Sequence, residues 1–140
     1  MTKTPSTTIL RRALTANAVF SGICGGLCVL ASDSIAQWVG LAKTEIFALG
    51  INLEVFSVLL IVLATRKDYS RGWVRSLVMA VIAMDVLWVL GSAALLLTPA
   101  VPLTTAGRWV TFAVAMVVAD VAYFQLRGFL GLRRATATAA

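Results

Sequence analysis

The sequence contains no histidine, and its 140 residues include only 2 cysteines and 3 prolines. Without histidine the chain lacks a side chain that Ser-His-Asp catalysis, His-ligated haem and His-based metal sites all require. No lysine lies inside an apolar run, so a retinal-type Schiff base has no attachment point within a membrane span. We therefore expect no cofactor and no metal site.

The two cysteines, Cys24 and Cys28, stand four residues apart inside one apolar run. A disulfide between consecutive turns of one helix would constrain very little, so this spacing does not indicate a disulfide framework. Free cysteine behaves as a small apolar residue in most interiors. We interpret both thiols as packing residues in preference to redox or metal chemistry.

Charge is also scarce. Only 13% of the residues are charged, against about 25% in ordinary soluble domains, and 60% are hydrophobic, with a mean hydropathy of +0.93. The net charge of +6 comes from basic residues at the ends of apolar runs rather than along one polar face. That pattern argues against nucleic acid as a partner and favours the lipid bilayer.

Four long apolar runs are present, and they extend over residues 13–32, 45–65, 75–97 and 109–126. Each is about 18–22 residues long, which at 1.5 Å per residue is enough to cross a hydrocarbon core about 30 Å thick. Between the first two runs, residues 33–44 mix Trp38 with polar groups, as in an interfacial segment. The sequence predicts a single all-α transmembrane domain over residues 1–140, a polytopic four-helix bundle.

The basic residues are distributed unevenly among the connecting segments. The two termini and the middle loop carry ten of the twelve, namely Lys3, Arg11, Arg12, Arg66, Lys67, Arg71, Arg75, Arg127, Arg133 and Arg134. The other two loops hold one each, Lys43 and Arg108. Under the positive-inside rule both termini are cytoplasmic. We expect a multi-pass protein of the bacterial inner membrane with a single orientation.

Three acids interrupt the apolar runs: Glu54, Asp85 and Asp120. A charge at mid-bilayer costs roughly 2.5–3.5 kcal/mol on insertion scales, so such residues are rare and usually functional. From the rise per residue, Glu54 and Asp85 lie near the midplane, and Asp120 lies about 10 Å from the cytoplasmic side. Asn17 in the first run lies about 7 Å inside.

Each acid has polar or aromatic companions at helical spacing, which predicts one inward-facing stripe per helix. These stripes are Gly50, Glu54 and Ser57 on the second helix, Asp85, Trp88 and Ser92 on the third, and Met116, Asp120 and Tyr123 on the fourth. We expect Glu54, Asp85 and Asp120, with Asn17 nearby, to form one polar chamber that serves as an ion, proton or solute site. Without an internal cation, at least one of the three acids should hold a proton near neutral pH.

The first helix carries small residues at intervals of four: Ala18, Gly22 and Gly26. A ridge without side-chain bulk lets a neighbouring backbone approach closely, which predicts a helix packing seam. The spacing leaves open whether the seam packs within one chain or between copies. We expect the chain to assemble with itself or with a partner of a membrane complex through this helix.

The segments RRALTANAVFSGICGGL and AMDVLWVLGSAALLL resemble small four-span inner-membrane proteins of bacteria for which no activity is established. The resemblance implies a four-span architecture over most of the chain and no function. The span count and membrane glutamate also resemble small multidrug transporters. In that family, however, the essential glutamate is in the first helix, where this chain has Asn17, and that function is not carried over.

Two functions remain as expectations. The first is transport or sensing of protons, or of a small cationic or amphipathic solute, through the intramembrane acids. The alternative is a non-catalytic accessory or scaffold subunit of a membrane complex, in which the same polar groups form hydrogen bonds between helices. No Ser, Cys or His partner stands at recognisable spacing from the acids, so we expect no enzymatic activity.

Overall fold

The computed structural model describes residues 5–66, 68–69, 71–99 and 101–137, and the regular secondary structure among these residues is helical. Five helices follow one another along the chain: α1 (Pro5–Leu30), α2 (Ser32–Val39), α3 (Lys43–Ala64), α4 (Gly72–Leu97) and α5 (Thr105–Ala137). All but α2 are long and apolar enough to cross a membrane. The prediction of an all-helical chain with four helices long and apolar enough to span a membrane is therefore confirmed.

Local signals explain where these helices begin and end. The Glu45 carboxylate accepts the Ala42 N–H at 2.9 Å at the start of α3, and the Thr104 hydroxyl accepts the Gly107 N–H at 3.0 Å at the start of α5. Both contacts satisfy backbone donors that a helix N-terminus leaves unpaired. Gly40 ends α2 in the left-handed region, with φ at 89°, a conformation that glycine adopts without strain.

The predicted interfacial segment forms the short helix α2. It begins two residues after α1 ends, and its Trp38 is 58% exposed. The Trp38 carbonyl accepts the Thr104 hydroxyl at 2.5 Å, which joins α2 to the start of α5. A salt bridge of 2.6 Å between Asp33 and Lys43 closes the turn to α3. These contacts hold α2 against the starts of α3 and α5 at this end of the bundle.

The four long helices are arranged around the bundle in the order α3, α1, α5, α4. Helix α1 packs against α3 and α5, α4 packs mainly against α5, and α3 and α4 touch each other least. Over the described residues the Cα traces of α1 and α4 do not come within 8 Å of each other, so these two helices stand diagonally opposite. The weak α3–α4 contact leaves a lateral opening on one side.

Helices α1 and α3 cross at glycines. A Cβ added to Gly50 would lie 2.9 Å from the Gly25 carbonyl oxygen and 2.9 Å from the Cys28 Cβ, so no larger residue fits without movement. Further along, the Ser57 hydroxyl donates to the Ala18 carbonyl at 2.8 Å and faces Gly22. The small-residue ridge of α1 thus lies against α3 of the same chain.

The apolar core is concentrated at the end of the bundle that carries the arginines of α1 and the α3–α4 loop. Its completely buried members are Leu10, Leu14, Leu60, Leu63 and Val81. The outside is also apolar, since Val55, Leu87 and Trp109 are each at least 66% exposed. A surface as hydrophobic as the interior is typical of helices surrounded by lipid.

Tyr69, in the loop between α3 and α4, closes the end of α3. The residue is 6% exposed, and its hydroxyl donates to the Leu63 carbonyl at 2.9 Å. Burial raises the pKa of Tyr69 above its ordinary value of 10.0, and this outweighs the opposite effect of the neighbouring Arg11 guanidinium. The neutral phenol is therefore the form that the fold stabilises.

Replacing Tyr69 by phenylalanine should lower the free energy of unfolding by about 1 kcal/mol, because the Leu63 carbonyl loses the phenol as a donor and keeps only the Arg66 N–H. The raised pKa also fixes a pH dependence. The contribution of Tyr69 to the free energy of unfolding should be complete below about pH 10. It should fall as the pH rises through the folded-state pKa, since the tyrosine ionises at a lower pH in the unfolded chain. Unfolding in detergent at about pH 8 and about pH 11 measures both effects. A wild-type advantage that does not shrink at the higher pH would contradict this assignment.

Candidate functional site

The interior of the bundle holds a polar contact between its two diagonal helices. Asn17 of α1 and Asp85 of α4 are 1% and 4% exposed, and Asn17 Nδ2 donates to Asp85 Oδ2 at 2.8 Å. The Ser21 hydroxyl donates in turn to Asn17 Oδ1 at 3.3 Å. Because Ser21 lies one turn after Asn17, its hydroxyl holds the amide with the NH₂ group toward the carboxyl.

Gln125 of α5 completes the surroundings of Asp85. Its side chain is fully buried and faces the Asp85 carboxyl. Neither amide atom has a hydrogen bond of standard geometry, so the contact with Asp85 is a near approach that a small side-chain movement would close. A buried amide without partners is costly. Gln125 was not among the predicted site residues, although an amide inside an apolar run is itself a signal of a polar site.

A cavity of about 150 Å³ adjoins this carboxyl. Its lining is largely apolar and aromatic, and it is formed by Asn17, Phe20, Ser21, Cys24, Leu49, Asn52, Leu53, Phe56, Met84, Asp85, Trp88, Val114 and Val118. Asp85 is the one ionisable carboxyl among these residues, and none of them is basic. Asn52, Met84 and Trp88 also reach the surface, so the mouth lies between α3 and α4.

Glu54 does not share this cavity. Its side chain is half-buried and lies over the glycines of α1, with Oε1 2.9 Å from where a Cβ of Gly25 would be and 3.5 Å from that of Gly26. The absence of side chains at these two positions leaves the space that the carboxyl occupies. The predicted stripe of α3 therefore faces α1 rather than the centre of the bundle.

Asp120 lies on the outside of α5. Its companions Met116 and Tyr123 are 52% and 58% exposed, and Asp120 itself is exposed, so the prediction that this stripe faces inward is wrong. The inward positions of α5 are occupied by Val118, Ala122 and Gln125. The reason is that α5 is apolar on several faces, so helical spacing identifies a stripe without saying which way it points.

The structure therefore brings together two of the four predicted site residues, Asn17 and Asp85, and separates them from Glu54 and Asp120. The expectation of one chamber formed by all three acids is wrong, because the carboxyls of α3, α4 and α5 point in three directions. A part for Glu54 or Asp120 in ion handling stays a prediction.

The two thiols are free and half-buried. Cys24 lines the cavity, and the Cys28 Cβ packs beside Gly50. Within the part of the chain that the structure describes, no three His, Cys, Asp or Glu side chains are grouped as metal ligands. Cys24 thus adds a polarizable wall to the cavity beside Asp85.

Over the residues that the structure describes, fold and site together define an all-helical protein with four helices apolar enough to cross a membrane and one carboxyl buried beside an apolar cavity. No protein family, curated protein or solved structure matches the chain. Its function is therefore inferred from the chemistry of the site.

Proposed function

We propose that the chain is a multi-pass protein of the bacterial inner membrane that binds a small amphipathic cation at Asp85 in exchange for a proton. The observation that carries this proposal is that, among the described residues, Asp85 alone is a buried carboxyl, and it opens onto an apolar, aromatic cavity. A carboxyl attracts a cation, and apolar walls accept the hydrocarbon part of the same solute. Cations without an apolar part would leave most of the cavity wall without contacts.

The exchange follows from the charge balance at Asp85. An ionised carboxyl inside a bundle is costly unless a positive charge accompanies it. The lining supplies no Lys or Arg, so the neutralising charge is either a proton on the carboxyl or a bound cation. A cation that enters displaces the proton, and a returning proton releases the cation. Asn17 Nδ2 donates to Asp85 Oδ2, a contact that stabilises the ionised carboxylate. After a small side-chain movement, the Gln125 amide would accept from the protonated form or donate to the ionised one.

The cavity limits the size of the solute. A cavity of about 150 Å³ is comparable to an engineered protein cavity that holds one benzene molecule. The rings of Phe20, Phe56 and Trp88 line it, and ring faces attract cationic groups. A primary amine with one aromatic ring or a short alkyl chain fits these walls. The mouth between α3 and α4 would admit such a solute from the hydrocarbon side.

The orientation with both termini in the cytoplasm is part of the proposal. It rests on the charge bias of the sequence, and the basic groups at one end of the bundle support it. Arg11 donates to the Arg66 carbonyl at 2.8 Å, and the Arg66 guanidinium lies 5.3 Å from the ring centre of Trp73. An arginine over a tryptophan suits headgroup depth. Lys3 and Lys67, which add to the bias, lie outside the described residues.

Single cysteines at the two ends should be labelled from opposite sides of the membrane. In a Cys24→Ser, Cys28→Ser background, Ala42→Cys should react with a membrane-impermeant maleimide in spheroplasts. Gly72→Cys should react only after permeabilisation. Both positions are exposed, so a difference in labelling reports the side of the membrane and not burial within the protein. The reverse pattern would overturn the orientation, and equal labelling of both would indicate mixed topology.

The alternative is a non-catalytic accessory or scaffold subunit of a membrane complex. The observation that favours it is that the Asn17–Asp85 bond joins two helices whose backbones do not otherwise meet, as a purely structural polar tie would. Both proposals assign binding rather than catalysis, since the Ser21 hydroxyl donates to the Asn17 amide rather than to a base.

A further inference from the structure

The outer surface of α1 and α3 carries two open grooves that do not include Asp85. The first, of about 440 Å³, follows the line where the two helices meet. The second, of about 650 Å³, continues it across the outside of α1. Both volumes are in the range of ligand-binding pockets. We call the two together the α1–α3 groove, which is bounded by Thr15, Val19 and Ile23 of α1, shared by both, and by Ser57, Ile61 and Thr65 of α3.

The shape of the α1–α3 groove suits a hydrocarbon chain. Ala18 and Ala64, both buried, form its floor, and its walls include Val19, Ile23 and Ile61, which are more than half exposed. From the level of Arg12 to that of Ile23 the groove follows eleven residues of α1, or about 16 Å. This length is close to half of a hydrocarbon core about 30 Å thick. A chain that enters at the headgroup level therefore reaches the middle of the bilayer.

One end of the groove is basic. Arg11 and Arg12 line it, and the main chain of Arg66 lies beside them, since its carbonyl accepts Arg11 Nη2 at 2.8 Å. No acid is among the described residues that line the groove. Arg12 is exposed, and Arg11 Nε is buried without a hydrogen-bond acceptor among the described residues. A buried donor without an acceptor is costly, so this end of the groove favours an anion.

We propose that the α1–α3 groove binds one anionic phospholipid, with its phosphate at Arg11 and Arg12 and one acyl chain along the apolar walls. A guanidinium group pairs with phosphate through two parallel hydrogen bonds. Basic pockets between membrane helices on the cytoplasmic side bind anionic headgroups in this way. The inference rests on the proposed insertion in the membrane and is independent of cation exchange at Asp85.

Charge and shape together favour this occupant over others. A zwitterionic lipid carries its own cation, so it leaves the positive charge of the two arginines without compensation. A free phosphate ion pairs with the arginines but leaves the apolar walls uncovered. An apolar helix covers the walls but offers no acceptor to Arg11 and Arg12. A ligand with an anionic group at one end and a long hydrocarbon chain satisfies both parts of the groove.

Native mass spectrometry of the full chain in a neutral detergent tests the lipid site. One phosphatidylglycerol should bind per chain, more tightly than phosphatidylcholine with the same acyl chains. Arg12→Gln should weaken this binding roughly fivefold, the effect of one basic residue near an anionic lipid surface. Arg127→Gln removes an equally exposed charge outside the groove, at the same end of the bundle, and should bind as the wild type does. Equal affinities for the two lipids, or equal losses in the two variants, would overturn the proposal.

A second pair of variants tests the groove itself. Val19→Phe should fill it and weaken phosphatidylglycerol binding at least as much as Arg12→Gln does. Val55→Phe adds the same ring at a more exposed position of α3 outside the groove and should have no effect. Inorganic phosphate should not displace the lipid, and displacement would overturn the part played by the apolar walls. Extraction at alkaline pH reports insertion separately, so a chain that stays in the membrane without preferring the anionic lipid contradicts this site alone.

Discussion

Replacing Asp85 by asparagine should weaken the binding of benzylammonium by roughly thirtyfold or more. The amide keeps the size and the polar contact with Asn17 but removes the charge that the ammonium group pairs with. Losing one partner of a desolvated charge pair typically costs about 2–5 kcal/mol. The free energy of unfolding should change far less than the affinity does, since a hydrogen bond between helices remains.

Tryptophan fluorescence provides the measurement, because Trp88 lines the cavity. Two controls make the result specific. Glu54→Gln alters a membrane acid that does not line the cavity and should bind benzylammonium as the wild type does. Benzyl alcohol, which has the same ring without the charge, should bind wild type and Asp85→Asn alike. If Asp85→Asn bound benzylammonium with wild-type affinity, the scaffold alternative would be favoured.

Replacing Gly50 by leucine should destabilise the fold by about 1–3 kcal/mol or more, as overpacking in a close-packed interior does. The first added atom already meets the Gly25 carbonyl and the Cys28 Cβ at 2.9 Å. Backbone atoms cannot rotate away as a flexible side chain can, so α1 and α3 must separate. That separation would also loosen the bond between Ser57 and the Ala18 carbonyl.

Gly91→Leu is the matched control on α4, because a Cβ there has no neighbour within 4 Å. Leucine at an open helical position should stabilise the helix by up to about 1 kcal/mol, since glycine is the poorer helix former. Unfolding in mixed micelles of increasing denaturing detergent gives the free energy of unfolding for both variants. Equal changes in the two would contradict close packing at the α1–α3 crossing.

The existence of the four long helices could be predicted from the sequence, although α1 begins earlier and α5 ends later than the apolar runs. Runs of about twenty apolar residues leave helix formation as the way to satisfy the backbone in lipid, and the breaks at Pro99 and Pro102 follow from the missing N–H and fixed φ of proline. Asn17 and Asp85 were predicted to line the same polar chamber, but a direct hydrogen bond between them was not predicted. The two residues are close because α1 and α4 stand diagonally opposite each other in the bundle. Residue spacing within a single helix carries no information about that arrangement.

Residue spacing could not predict whether each polar stripe faces the interior of the bundle or its outside. In a soluble helix the polar face marks the outside, but α5 is apolar both where it packs and where it is exposed. Asp120 and Gln125 lie five residues apart on α5 and point in different directions, and only the acid was predicted to face inward. The structure places the amide inside. The Glu54 side chain points toward α1 because Gly25 and Gly26 have no side chains and leave room for its carboxyl.

The central claim is that Asp85 holds either a proton or a cation, never both. Calorimetric titration with benzylammonium in two buffers of different ionisation enthalpy counts the protons released on binding. At a pH where the carboxyl is protonated, the wild type should release one proton for each cation bound, and the release should fade as the pH rises. Binding to the wild type without proton release at any pH, or the same release from Asp85→Asn, would contradict the exchange.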